Sequence, residues 1–256
     1  MADWNPSNYL KFKNERTQPS IDLAARISVA SPKSIMDLGC GPGNSTKILV
    51  DKWPKAIVTG IDNSPEMIKK AKADHPDLSW MLSDIAQMDA TGTSDIVFSN
   101  ATLQWLGNHE TLVPNLFRLV NKGGALAVQV PANQNAPLHQ ALLSVSKSAK
   151  WKEYTGNCDQ LMNYRSSEYY YTILSRLTQS FELWETTYIH VLDNHQALIE
   201  WYKSTGMRLY LSALPNDSAR AQFEEDVLDI CKREYEVRGN GKILYPFSRV
   251  FFVAYK

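Results

Sequence analysis

The chain has 256 residues, 44% hydrophobic and 21% charged, with 27 Lys and Arg against 27 Asp and Glu, so its formal net charge is zero. That length suffices for one large domain with a sizeable core, and the balanced charge lacks the basic footprint of a nucleic-acid binder. Cys40, Cys158 and Cys231 are far apart and form no Cys-x-x-Cys pair, which argues against a disulfide framework or a zinc site. The first residues show no signal pattern, and no apolar run nears the roughly 20 residues of a membrane span. The expectation is a cytoplasmic protein that engages neither membrane nor metal.

In chain order, Ser34–Leu38 reads as a strand, Ser45–Trp53 as a helix, and Ala56–Asp62 as a second, β-branched strand apolar enough to be buried on both faces. Pro65–Ala73 follows as a helix, with Ser64 at the N-cap and Pro65 at its first position. A short third strand precedes Ser83. Ser94–Ser99 and Ala125–Val130 are further strands, separated by a helix near Leu112–Leu119. This alternation predicts an α/β, Rossmann-like sheet, mostly parallel and covered by helices on both faces. After Pro131 the pattern turns helical to about Tyr171. Leu183–Val191 and Arg249–Tyr255 are two late strands, one of them antiparallel, and the stretch between them, from about His195 to Tyr235, is mostly helical. The predicted organisation is a single domain over 1–256. A helical cap comes from about 133–175 and 195–240, and a lid from about 1–20.

The first strand runs into Asp37-Leu38-Gly39-Cys40-Gly41-Pro42-Gly43-Asn44-Ser45-Thr46. Glycines at a strand-to-helix turn let a ligand approach the backbone where a Cβ would clash. The Gly-x-Gly-x-Gly spacing differs from the Gly-x-Gly-x-x-Gly of dinucleotide sites. Asp37 would sit poorly beside a pyrophosphate but suits a cationic ligand such as a sulfonium amino acid; the alternative is that it only orders the turn. Asp62 ends the second strand about 20 residues on, where a carboxylate accepts ribose hydroxyls. Asp84, after the third strand, is placed to accept from an adenine amino group. Cys40 reads as a small packing residue.

These residues, in this order at strand ends, resemble the class I methyltransferases that depend on S-adenosylmethionine. The resemblance narrows with Asp3-Trp4-Asn5-Pro6-Ser7-Asn8-Tyr9-Leu10, Gly60-Ile61-Asp62-Asn63-Ser64-Pro65-Glu66-Met67, Ser99-Asn100-Ala101-Thr102-Leu103-Gln104-Trp105-Leu106 and Pro246-Phe247-Ser248-Arg249-Val250-Phe251. Over nearly the whole chain the sequence is similar to the trans-aconitate 2-methyltransferase family. The resemblance implies methyl-ester formation on a small polycarboxylate, and a monomer is expected. It also implies that Asn44, Asn63, Met67, Ile85 and Asn100 join Asp37, Gly39, Gly41, Asp62 and Asp84 around the cofactor. Two departures stand out: Gln18 where the family carries arginine, and Ala132 where it carries aspartate. They leave open another small carboxylate or an acyl-carrier acceptor, and, further off, a cofactor-binding protein without catalysis.

A carboxylate is already ionised at neutral pH, so no catalytic base is expected. Arg208 and Arg249 are the candidate acceptor ligands, because a guanidinium fork matches a carboxylate; surface ion pairing is the alternative. Tyr188 and His190 share one face of a strand by period-2 spacing, pointing at the acceptor or packing in the core. Trp105, beyond the fourth strand, either walls the methyl-transfer cavity or belongs to the core. Trp4 and Tyr9 either form the lid or dock on the surface.

Overall fold

The computed structural model describes residues 13–88, 93–203 and 205–256. Helix α1 (Lys13–Arg26) leads into β1 (Ser34–Leu38), α2 (Asn44–Lys52), β2 (Ile57–Asp62), α3 (Pro65–Asp74) and β3 (Ser79–Leu82). Next come β4 (Ser94–Asn100), α4 (His109–Arg118) and β5 (Val120–Pro131), then α5 (Pro137–Ser146), α6 (Lys152–Thr155), α7 (Ser167–Leu177) and β6 (Phe181–Leu192). Helices α8 (His195–Lys203), α9 (Arg208–Ala213) and α10 (Asp217–Glu234) precede the last strand, β7 (Ile243–Tyr255). The predicted cap of α3 forms as expected: Ser64 Oγ accepts the Met67 N–H at 3.4 Å, with Pro65 at the first helical position.

Seven strands form one sheet in the order β3-β2-β1-β4-β5-β7-β6. Strands β1 to β5 pair in parallel, whereas β7 runs antiparallel to both β5 and β6. The chain winds outward from β1 to β3 and then restarts at β4 on the other side of β1. A crevice therefore opens beyond the carboxyl ends of β1 and β4, where open α/β sheets place their ligands. One face of the sheet packs Ile35, Phe98, Phe251 and Val253 under Leu23 and Ala24 of α1, Ile27 just after it, and Leu49 of α2. The other packs Leu126, Val128, Val250 and Phe252 under Leu112 and Leu116 of α4. Residues Ala125–Val130 are all buried, which accounts for the unbroken apolar run.

Two expectations need correction. Strand β7 starts six residues before Arg249, because Pro246 sits where β5 no longer pairs: β5 engages β7 only from Arg249 onward, while β6 pairs as far back as Ile243. A proline is tolerated there because no central ladder requires its N–H. The resulting two-stranded ribbon runs past the sheet and carries Leu192, Tyr245 and Phe247 into a separate apolar cluster with Leu138 and Leu142 of α5, Trp201 and Tyr202 of α8, Tyr210 of α9 and Phe223 of α10. Helix α7, grouped with the cap by its position in sequence, packs instead on the sheet, where Tyr170, Ile173 and Leu174 join the α4 face.

Candidate functional site

The turn after β1 is stitched to the end of β2. The Gly39 and Cys40 N–H groups both donate to the Ile61 carbonyl, at 2.7 and 3.0 Å. Gly39 is left-handed at φ +73°, and a Cβ there would stand 2.1 Å from Thr102 Oγ1. That hydroxyl donates to the Gly39 carbonyl at 3.3 Å, tying β1 to the loop after β4. Gly39→Ala is expected to destabilise the fold by about 2–4 kcal/mol, from left-handed strain and overpacking together. A denaturant midpoint checks this, and an unchanged midpoint would show that Thr102 yields freely. Gly41, at φ +54°, has no atom within 4 Å of its Cβ position, so that space is open to a ligand.

The Gly41 N–H donates to Asp62 Oδ2 and the Ser64 N–H to Oδ1, both at 2.9 Å. Each carboxylate oxygen is thus fixed by one backbone donor and keeps further acceptor capacity for a ligand hydroxyl. Burial pushes the Asp62 pKa up, and the backbone bonds oppose the shift.

Asp37 is fully buried beneath the turn and does not line the cavity. Its Oδ2 accepts Ser45 Oγ at 2.7 Å and Thr46 Oγ1 at 2.6 Å, securing the start of α2. The structure gives it a contact within the fold in place of the expected one with a cation, because its side chain leaves β1 toward the first turn of α2. Its Oδ1 is buried with no partner, and burial pushes the carboxyl up to about 6.

Among the described residues, a cavity of about 570 Å³ lies over this turn. Gly39, Gly41, Asn44, Asp62, Asn63, Met67, Asp84, Ile85 and Asn100, the other residues expected around the cofactor, all line it. Asp84 also caps a short 3₁₀ turn by accepting the Ala86 N–H at 3.0 Å. Asn100 presents a buried Oδ1 without a partner, and Ala101 beside it is held left-handed at φ +54°. Strained backbone of that kind is characteristic of ligand sites.

Trp105, Arg208 and Arg249 line the other side of the same cavity. The Arg208 guanidinium lies 5.6 Å from the Trp105 ring centre. Arg249 is 5% exposed, stacks 4.4 Å over Phe247, and donates from Nη1 to Gln129 Oε1 at 3.2 Å. Four strand intervals separate β2 from β7, about 19 Å at ~4.8 Å each. The cavity is therefore acidic at one side, from Asp62 and Asp84, and cationic at the other.

Two predicted acceptor ligands fall outside it. Tyr188 turns toward α1 and donates to Asp22 Oδ2, while His190 is buried against Trp201, with ring centres 4.5 Å apart. Both do share a strand face, but that face is covered by protein before it reaches the cavity. Burial, and after it the Arg249 charge, pulls His190 down to about 4. Trp4 and Tyr9 lie outside the described residues. The two departures from the family pattern also lie off the cavity: Gln18 is exposed and donates to Asp22 Oδ1 at 2.8 Å, and Ala132 packs against the α4 side of the sheet. Lining residues that sequence reasoning missed include Thr102, Tyr164, Trp201, Tyr202 and Phe247. Phe247 stands in the segment Pro246–Phe251 that resembles the family and could have been chosen; Tyr164 and Tyr202 carry no sequence signal separating them from core tyrosines.

No group of acidic, His or Cys side chains able to hold a metal occurs among the described residues, and no helix there is long and apolar enough to cross a membrane. Residues 35–124 match the family model described as a methyltransferase domain. A trans-aconitate 2-methyltransferase of Klebsiella pneumoniae (strain 342) is 41% identical over 256 residues, covering 100% of this chain and 99% of the relative. That of Azoarcus sp. (strain BH72) is 38% identical over 254 residues, covering 99% of each. Of solved structures, the YcgJ protein of Bacillus subtilis matches at TM-score 0.60 and 11% identity over 93% of this chain and 99% of that one, a likeness of fold. With full-length relatives at this identity and the glycine turn, Asp62 and the sheet order in place, the chain belongs to the trans-aconitate 2-methyltransferase family.

Proposed function

We propose that this chain transfers the methyl group of S-adenosylmethionine to a carboxylate of trans-aconitate, giving a methyl ester and S-adenosylhomocysteine. The observation that carries this reading is one cavity with a nucleoside-type site at one side and two guanidiniums at the other. Asp62 would accept the ribose hydroxyls and Asp84 the adenine amino group. Asn100 Oδ1, buried and without a partner, offers an acceptor for the amino-acid end. When bound, the donor supplies an electrophilic methyl on sulfur: an acceptor carboxylate oxygen forms the new bond to carbon as the carbon–sulfur bond breaks and its electron pair stays on sulfur.

No proton moves in this step, so no residue is assigned as a general base. Arg208 and Arg249 hold the carboxylates that do not react, and the aromatic walls exclude water. Pre-organisation of this kind is worth roughly 7–11 kcal/mol in favourable cases. In the same reading, α5, α6 and α8–α10 act as a cap, residues 1–20 as a lid, and the enzyme works in the cytoplasm as a monomer on a small molecule. The cavity's size and the zero net charge support a small molecule over a nucleic acid.

The test is to incubate the purified protein with S-adenosylmethionine and a panel of di- and tricarboxylates, including trans- and cis-aconitate, and to quantify S-adenosylhomocysteine. Selective turnover of trans-aconitate is the expected result. Turnover of a different acid would replace the acceptor but keep the chemistry; no turnover of any acid would overturn the reading.

A further inference from the structure

The cap side of the cavity holds two tyrosines, Tyr164 and Tyr202, for which two arginines and a methyl donor leave no evident task. Behind them, on α5, stands His139, buried at 6% exposure. Its Nδ1 lies 2.7 Å from Tyr202 Oη, and its ring meets the Tyr164 ring edge-on at 5.0 Å. Tyr202 and Tyr164 meet in turn through their hydroxyls, and Arg249 lies close enough to Tyr164 to act on its charge. Tyr202 is clamped in place. The Thr205 and Met207 N–H groups both donate to its carbonyl at 3.0 Å, and a Cβ on Gly206 would come within 2.5 Å of its ring. This is the turn that delivers Arg208.

Resting on the acceptor chemistry proposed above, we infer that Tyr164 donates a hydrogen bond from its hydroxyl to the reacting carboxylate of the acceptor, and that His139 and Tyr202 are positioning residues that set the direction of that hydrogen bond. A buried row of hydroxyls can point either way, and the group at its closed end decides. His139 is neutral at working pH, because burial pulls it down to about 4. With the proton on Nδ1 it donates to Tyr202 Oη; Tyr202 then donates to Tyr164 Oη, and the Tyr164 hydroxyl, which in this structure donates to Met162 Sδ at 3.8 Å, exchanges that weak acceptor on the cavity wall for a ligand carboxylate.

A neutral donor is the right choice for the reacting group. A guanidinium pressed on the attacking carboxylate would draw off the charge that makes its oxygen nucleophilic. A phenol bonded to the other oxygen fixes the angle of attack and takes little charge away. Tyr164 holds its proton firmly, since burial pushes its pKa up to about 12, so it donates a hydrogen bond without transferring the proton. The acceptor class that follows is a carboxylate flanked by two further carboxylates. The guanidiniums take those two, and the tyrosine takes the one that is methylated.

The experiment compares wild type with Tyr164→Phe, His139→Leu and His139→Asn, measuring trans-aconitate turnover together with S-adenosylhomocysteine affinity by calorimetry. Tyr164→Phe is expected to cut kcat/KM for trans-aconitate about 10- to 100-fold, the effect of one hydrogen bond to a charged group, with cofactor affinity unchanged. His139→Leu is expected to do the same, and His139→Asn, whose amide can still donate to Tyr202, to recover most of the loss. Nitrogen-15 shifts of His139 should report a proton on Nδ1. A Tyr164→Phe protein with wild-type kcat/KM, or a His139 protonated on Nε2 alone, would overturn the inference. A His139→Leu protein that lost cofactor and acceptor binding together would reduce His139 to a structural residue and overturn its positioning role. Should wild type turn over no carboxylate, the parent reading falls and takes this one with it, an outcome separate from the variant results.

Discussion

Asp62→Ala is expected to weaken S-adenosylhomocysteine binding at least about 100-fold, the loss of two hydrogen bonds to a charged acceptor at about 1.5 kcal/mol each. The carboxylate has two tasks. Its oxygens receive the Gly41 and Ser64 N–H groups at 2.9 Å, which holds the glycine turn against β2, and their remaining lone pairs face the cavity. Removing it therefore strips the ribose acceptor and leaves two backbone donors to find water. Calorimetry with adenosine and 2′-deoxyadenosine separates the two effects. Wild type should prefer adenosine, and Asp62→Ala should lose that preference as well as affinity. If the variant bound both more weakly but kept the preference, Asp62 would be a scaffold for the turn and the ribose contact would lie elsewhere.

For the acceptor, the largest effect is expected from Arg249. Replacing it with methionine should raise KM for trans-aconitate about 100-fold through loss of a two-pronged carboxylate contact, while S-adenosylhomocysteine affinity stays as it was. Methionine keeps apolar contact with Phe247, over which the guanidinium stacks at 4.4 Å, so the site does not simply collapse. Gln129 would lose the Nη1 donor that its Oε1 accepts at 3.2 Å, and a modest fall in melting temperature is expected from that. Arg249→Lys keeps the charge and loses the fork, so an intermediate KM is expected if geometry matters and a wild-type KM if charge alone does. An unchanged KM in Arg249→Met would remove the residue from the acceptor site altogether.

Much of this site is legible in sequence because its cofactor half is built from local chemistry. A strand that ends in Gly-x-Gly-x-Gly, an aspartate closing the next strand and another after the third each occupy a strand end, and the parallel sheet brings strand ends together without further instruction. The half that carries Arg208 and Arg249 is not local. Arg208 and Arg249 could be chosen because a guanidinium fork matches a carboxylate. His190 and Tyr188 satisfied the same period-2 rule yet were claimed by protein neighbours, Trp201 for one and Asp22 for the other.

By itself the sequence determined the α/β class, the succession of β1 to β5 along the chain, the Ser64 and Pro65 start of α3, and the placing of Gly39, Gly41, Asp62 and Asp84 at neighbouring strand ends, where they line one cavity. These follow from periodicity and from backbone conformations that few residue types adopt. Only the tertiary structure decided that Asp37 works under the turn and not in the cavity, that Gln18 and Ala132 lie off it, and that Tyr164, Tyr202 and His139 converge at its cap side. Those outcomes depend on which surface reaches a side chain first. Packing between elements 60 or more residues apart, such as α5 against α8, decides that, and no local pattern encodes it.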